Sequence, residues 1–482
     1  MLILNYLGTM KHKLVTKLPK TILRNKFVIT AAVAALILLG VGTAGFVALK
    51  ADTPSTASFQ PENSTIAGAT QVTDSTASGG KAVQFGTTAS VTPPTYFGTL
   101  TTSGARAAEE SSKGIKVAMI EFRWDRYEPT TEGDFDEAYI AGMKSQFNTM
   151  RAAGMQVTLA MGVHFTPAWV KALPNSGFVN QNGTANSMLN VVFNQKIRQK
   201  VQAYYNQIDK DFGIENFWAL RITSGGSPEI LYPGDRTYWA YDVNAQNGAD
   251  MPPSMTRNPF PGWKPGDRSI TTTQVGQWAD WYLRALNDVV NWQMTVMTGL
   301  GFKGYYQMLT PGSGVRPSGY TSDVNTYLPT SYVGVGAVWD RFYKNLPNKK
   351  NVVVYVSSVA DNSGANSSCL ATDKDQPLTN TALNAWSSTR WQARIAHEYN
   401  LPIAGENPGY GLPVSLQDFY VDTSSSGMMA TAIRLAQTCN FQTFYWAHDF
   451  RLYDGTQTLA NYVSYIQSLH GTTYPVPTFP AN

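Results

Sequence analysis

From residue 95 onward, short runs of β-branched and aromatic residues alternate with amphipathic stretches. The runs Tyr96–Leu100, Ile115–Phe122, Gln156–Val163, Phe217–Ile222, Gly304–Leu309, Val352–Ser357, Pro402–Gly405 and Thr443–Ala447 read as strands. Helical periodicity follows each in turn, at Ala105–Ser112, Glu137–Ala153, Gln195–Phe212, Thr273–Thr298, Val338–Asn345, Leu383–Tyr399, Gly427–Cys439 and Leu459–His470. Eight such units predict an α/β fold with parallel strands and helical crossovers, and the count predicts a closed (β/α)8 TIM barrel over 95–482. A doubly wound sheet is the alternative, but it would carry a Gly-rich phosphate turn after its first strand. GTLTTSGAR matches that turn poorly.

The connections sharpen the barrel reading. Helix-to-strand links are short and often contain Gly (KGIK, AAGMQ, DFGIEN). Strand-to-helix links are long, about fifty residues after the fourth strand and over twenty after the fifth and sixth. Barrels build their sites from these loops, at the C-terminal ends of the strands.

The N-terminus has a different pattern. Phe27–Leu49 is a 23-residue stretch without a charge, long enough to span a bilayer. Lys11, Lys13, Lys17, Lys20, Arg24 and Lys26 precede it, with no acid. Positive flanks stay inside. Residues 1–26 are therefore expected in the cytoplasm, 27–49 as a transmembrane anchor, and the rest outside the cell membrane. Secretion after signal cleavage is the alternative. Residues 50–94 are rich in Ser, Thr, Ala and Gly and predict a disordered linker. The formal charge of +4 comes from 37 basic and 33 acidic residues. Seven of the basic ones lie in the first fifty, leaving 30 against 33 and a net −3 for the remainder. That balance gives no footprint for nucleic acid. Cys369 and Cys439 are the only cysteines, so a Cys-rich metal site is excluded. The sequence contains no GxxxxGK[ST], HExxH or GxSxG, and the expectation is neither a cofactor nor a metal.

Two glutamates stand at strand ends. Glu229 follows the fourth strand in RITSGGSPEILYPGD, and Glu406 closes the seventh in LPIAGENPGYG. A carboxylate emerging from an apolar strand needs a partner or a role. Acetal hydrolysis needs two carboxyl groups, one to protonate the leaving oxygen and one to attack or to activate water. Against that stand a salt bridge from Glu406 to Arg123 or Arg221, and an exposed loop position for Glu229. Arg123 and Asp125 are candidates to hold a sugar hydroxyl, or else pair with each other. His164 is a candidate for the mouth, and Tyr355 to hydrogen-bond Glu406. Trp169, Trp239 and Trp263 lie in rim loops, where aromatic faces stack on sugars or simply pack. His448 and Asp449 are candidate subsite residues after the eighth strand.

FRWDRYEPTTEGDFDEAY and AAGMQVTLAMGVHFTPAWV resemble the second and third strand region of glycoside hydrolase family 42, the β-galactosidases. The wider group is the clan A retaining glycosidases, which carry an acid/base glutamate after strand four and a nucleophilic glutamate ending strand seven. The resemblance implies those roles for Glu229 and Glu406. It also implies an oligo- or polysaccharide substrate. Trp446, in FYWAHDF, resembles the clan's tryptophan lying under the sugar. One departure is Pro228, where the clan has Asn before its acid. GGSPEILYPG instead resembles the acid loop of β-amylases, which invert. The alternatives are thus an inverting hydrolase and a non-catalytic glycan-binding barrel.

Overall fold

The computed structural model describes residues 69–73, 81–85 and 94–481, save 363, 365, 366, 412 and 413. The apolar stretch 27–49 lies outside the described residues. Among those described, no helix is long and apolar enough to cross a membrane.

Two units are described separately. In the first, β1 (Ala69–Thr73) pairs antiparallel with β2 (Lys81–Phe85), Ala69 opposite Phe85. This strand pair lies within the segment expected to be disordered. Averaging composition over 50–94 hides two five-residue runs, ATQVT and KAVQF, that carry β-branched and aromatic residues.

The second unit is the barrel. Its parallel strands are β3 (Tyr96–Thr99), β4 (Ile115–Glu121), β5 (Gln156–Ala160), β8 (Ala219–Ile222), β9 (Tyr305–Thr310), β10 (Val352–Val356), β11 (Ile403–Glu406) and β12 (Phe441–Trp446). They close in chain order, β12 pairing with β3. A small hairpin, β6 (Gly177–Val179) with β7 (Ala185–Leu189), is inserted in the loop after β5. Its three- and five-residue strands are too short to stand out from their loop.

The crossover helices form where the sequence permits. Gln195–Phe212 starts at Asn194, whose side chain accepts from Ile197 N–H, and stops at Gly213 with φ 67°. Ile197, Val201, Tyr204, Tyr205, Ile208 and Phe212 form its buried stripe, at helical spacing. Fully burying one such side chain contributes roughly 1.5–3 kcal/mol. Cys369 and Cys439 form a disulfide, 70 residues apart in sequence. It ties the loop after β10 to the end of the helix Met428–Thr438. Closing a loop of that length removes on the order of 4 kcal/mol of unfolded-state entropy.

Successive side chains of a strand point to opposite faces, and this alternation sorts the barrel into two cores. Ala118, Ile120, Met308, Val354, Phe444 and Trp446 pack with the helices in the outer core. Val117, Met119, Leu309, Val353, Tyr355 and Tyr445 form a separate inner cluster that fills the lumen. The polar positions of inward parity therefore face the lumen too: Glu121, Arg221, Gln307 and Glu406. Tyr445 crosses it, within 2.8 Å of Thr158 Oγ1 and accepting from Gln307 Nε2 at 2.9 Å.

Candidate active site

The upper end of the lumen collects charged side chains from strands that are not neighbours. In β11, Ala404 and Glu406 face inward. Gly405 faces out, where a Cβ would lie 2.5 Å from Val356 O. Glycine lets β11 pack closely against β10 there. The Glu406 carboxylate meets two donors on one oxygen. Tyr355 Oη of β10 donates to Oε2 at 2.5 Å, and Arg221 Nη2 of β8 lies 2.9 Å from the same atom. Arg221 thus spans the lumen from the fourth barrel strand to the seventh. Its Cζ also lies 5.1 Å from the Tyr355 ring centroid.

Glu229 is held by a folded loop. Gly226 approaches the β7 backbone so closely that a Cβ would meet Leu189 O at 2.1 Å. Ser224 Oγ donates to Leu231 O at 2.6 Å and to Glu229 O at 3.1 Å. Ile230 N–H donates to Leu309 O at 2.9 Å, pinning the loop on the end of β9. The Glu229 side chain then lies at the mouth, its Oε1 accepting from Ser357 Oγ at 2.6 Å. Tyr355 lies in β10 and Ser357 follows its last residue, so the partners of the two glutamates come from one stretch of chain at the strand's C-terminal end.

The environments separate the two carboxyl groups. Burial pushes Glu229 up to about 7, with Glu406 adding to the rise and the Ser357 hydrogen bond and Arg221 opposing it. Near neutral pH it holds a proton a large part of the time. Glu406 instead faces a guanidinium and a phenol. Burial works against the Arg221 charge, but Glu406, Tyr355 and Glu121 outweigh it and hold Arg221 above its ordinary range. A site with one carboxyl protonated and the other ion-paired can donate a proton and offer an anion together.

A third carboxyl was not singled out from the sequence. Glu121, at the end of β4, is raised by burial and opposed by Arg221. His164 Nε2 lies 3.8 Å from its Oε1. Burial and Arg221 push this imidazole down to about 4, so it is neutral at pH 7. Glu121, His164, Arg221, Thr223 and Pro228 help line a cavity of 60 Å³, room for a few waters. The signal for Glu121 was present in IKVAMIEF: it shares the inward parity of Val117 and Met119 and ends an apolar strand. Ser357 had no such signal.

Other expected positions lie elsewhere. Arg123 and Asp125 pair with each other at 2.7 and 3.0 Å on the rim, and Arg123 lies over Phe165. Trp169 packs edge-on against Trp124 and donates to Glu128 O at 3.0 Å. Trp239 and Trp263 are buried in the outer core. Trp446 is a correction: Tyr445 faces inward, so its neighbour must face outward. Trp446 is fully buried between barrel and helices, against Tyr420 and Tyr462, and no sugar in the mouth reaches it. Asp449 is also buried, accepting from Ser103 N–H at 2.7 Å. Among the described residues, no group of three His, Cys, Asp or Glu is arranged to hold a metal ion.

No protein-family model matches the chain, and no curated protein matches it by sequence. Solved structures match by fold. The chain is similar to the catalytic domain of β-amylase from Paenibacillus polymyxa, at 13% identity and a TM-score of 0.52, over 78% of this chain and 99% of that one. It also aligns with a β-galactosidase from the haloarchaeon Halorubrum lacusprofundi, at 13% identity and TM-score 0.45, over 78% and 57% of the two chains. A third is a GH5-4 broad-specificity endoglucanase from an uncultured bacterium, at 13% identity and TM-score 0.39, over 78% and 86%. At 13% identity the likeness to the β-amylase is one of fold, in keeping with the closed eight-stranded barrel of this chain.

Proposed function

We propose that the barrel is a glycoside hydrolase acting on an oligo- or polysaccharide. The observation that carries this reading is the opposite treatment of Glu229 and Glu406 at one mouth. Glu229 gives its proton to the glycosidic oxygen as the bond to the anomeric carbon breaks. Glu406, ionised beside Arg221 and Tyr355, attacks that carbon and forms a glycosyl–enzyme ester. Glu229, now an anion, takes a proton from water, and the hydroxide oxygen displaces Glu406 from the sugar.

A second reading keeps the same residues but has Glu406 activate water for a single displacement. Two observations favour it: Glu229 sits in the string GGSPEILYPG, and the P. polymyxa structure that shares the fold is described as a β-amylase. NMR of the first-formed anomer separates the two readings. Retention supports the ester and inversion supports the direct attack of water.

The pH profile tests the acid. Glu229 must be protonated in the free enzyme, so kcat/KM is expected to fall as pH rises through about 7. A plateau extending past pH 9 would contradict that role.

We infer further that residues 27–49 anchor the chain in the cell membrane, with the barrel outside. The support is the uncharged 23-residue run and its basic flank. The full chain should stay with membranes through an alkaline carbonate wash, and protease added to intact cells should degrade the barrel. Recovery of the barrel in the medium would favour a cleaved signal.

A further inference from the structure

At the seam where the last barrel strand meets the first, two non-glycine residues take positive φ. Thr101, after β3, has φ 48°, and His448, after β12, has φ 66° and ψ 108°. Side chains make such backbone conformations costly, so they persist only where the surroundings impose them. Here the backbone is locked on both sides. Leu100 N–H donates to Trp446 O at 3.0 Å, and Asp449 N–H to Leu100 O at 3.1 Å.

The positive φ changes where the imidazole goes. Along β12 the pleat sends Tyr445 inward and Trp446 outward. Continued alternation would put position 447 inward and 448 outward, among the helices. The ring of His448 instead lies between the loops after β3 and β11, at the C-terminal end of the strands. Thr101 Oγ1 is 3.2 Å from its Nδ1, and a Cβ on Gly409, in the loop after β11, would lie 3.4 Å from its Nε2. Burial lowers the pKa of this imidazole, and the nearby Glu406 charge opposes that effect. The contact with Thr101 uses Nδ1 and leaves Nε2 for a ligand.

Beside it stands Phe450, 40% exposed, with its ring centroid 5.5 Å from that of His448. The Arg451 guanidinium lies 4.7 Å from the centroids of both Phe450 and Tyr410, fixing Phe450 at the rim. A hydrogen-bonding ring edge next to an exposed aromatic face matches a pyranose, which carries hydroxyls on its edge and C–H groups on its faces.

We propose that His448 and Phe450 form a sugar subsite on the β11–β12 side of the mouth, His448 Nε2 hydrogen-bonding a hydroxyl and the Phe450 ring covering an apolar sugar face. The inference rests on the glycoside hydrolase reading. The test is His448→Gly in the full chain, assayed on whichever aryl glycoside of a broad panel the wild type cleaves fastest. Glycine relieves the positive φ and removes the ring. The Tm is expected to hold or rise while kcat/KM falls at least tenfold. Phe450→Ala should raise KM severalfold with kcat nearly unchanged. His448→Gly within twofold of wild-type kcat/KM, or a Tm lowered by several degrees, would overturn the subsite. A wild type that cleaves no glycoside overturns both readings. Loss of turnover in Glu406→Gln with none in His448→Gly overturns the subsite alone.

Discussion

Glu406→Gln is expected to reduce turnover by roughly a thousandfold or more, because the amide can neither attack the anomeric carbon nor activate water. The substitution keeps the shape of the side chain, and Tyr355 can still donate to its oxygen. Glu229→Gln should behave differently. Removing a general acid costs about 10²–10⁴-fold where the leaving group needs a proton. Nitrophenyl glycosides leave without much help, so their bond-breaking step should suffer less than that of an alkyl glycoside. The ratio of the two losses therefore identifies Glu229 as the acid. In Glu229→Ala, added azide should restore turnover of the nitrophenyl substrate and give a glycosyl azide if the reaction retains. Equal losses on both substrate types would remove Glu229 from that role.

The largest effect on stability is expected at Arg221. Its guanidinium is nearly buried, 2.9 Å from Glu406 Oε2. Breaking a buried pair from one side leaves a charge without compensation, which costs about 3–5 kcal/mol. Arg221→Met should therefore lower the free energy of unfolding by that amount at pH 7, read from urea titrations. Adding Glu406→Gln to Arg221→Met removes the orphaned charge and should recover much of the stability. A single variant as stable as wild type would show that the ion pair does not hold the barrel mouth together.

The barrel was legible because its signals are repeated. Eight apolar runs at helical intervals leave few topologies, and the long connections all fall on one rim. Glu406 was legible for a local reason, a carboxylate ending an apolar strand. The same reasoning applies to Glu121, where the acid is flanked by IKVAMI and Phe122 and was absorbed into the strand. Trp446 shows what a motif alone misses. The string FYWAHDF places a tryptophan at the right strand, but the pleat decides which face it takes, and Tyr445 already occupies the lumen. His448 could not be read from alternation either, since its positive φ breaks the alternation. Arg221 was foreseen only as a structural partner of Glu406, and the ion pair is present. In a buried mouth that pairing and a catalytic role are compatible. The link between Ser357 and Glu229 depends on how the loop after β8 folds over β9. No local pattern specifies that.

The most direct measurement is hydrolysis of a broad panel of aryl glycosides and oligosaccharides by the wild-type chain, Glu229→Gln and Glu406→Gln, each verified as folded by its thermal transition. The account predicts turnover of at least one glycoside by the wild type, and losses of at least a hundredfold in both variants on a substrate that needs leaving-group protonation. A folded wild type that cleaves nothing, or either variant within tenfold of it, would contradict the assignment of Glu229 and Glu406 as the hydrolytic pair.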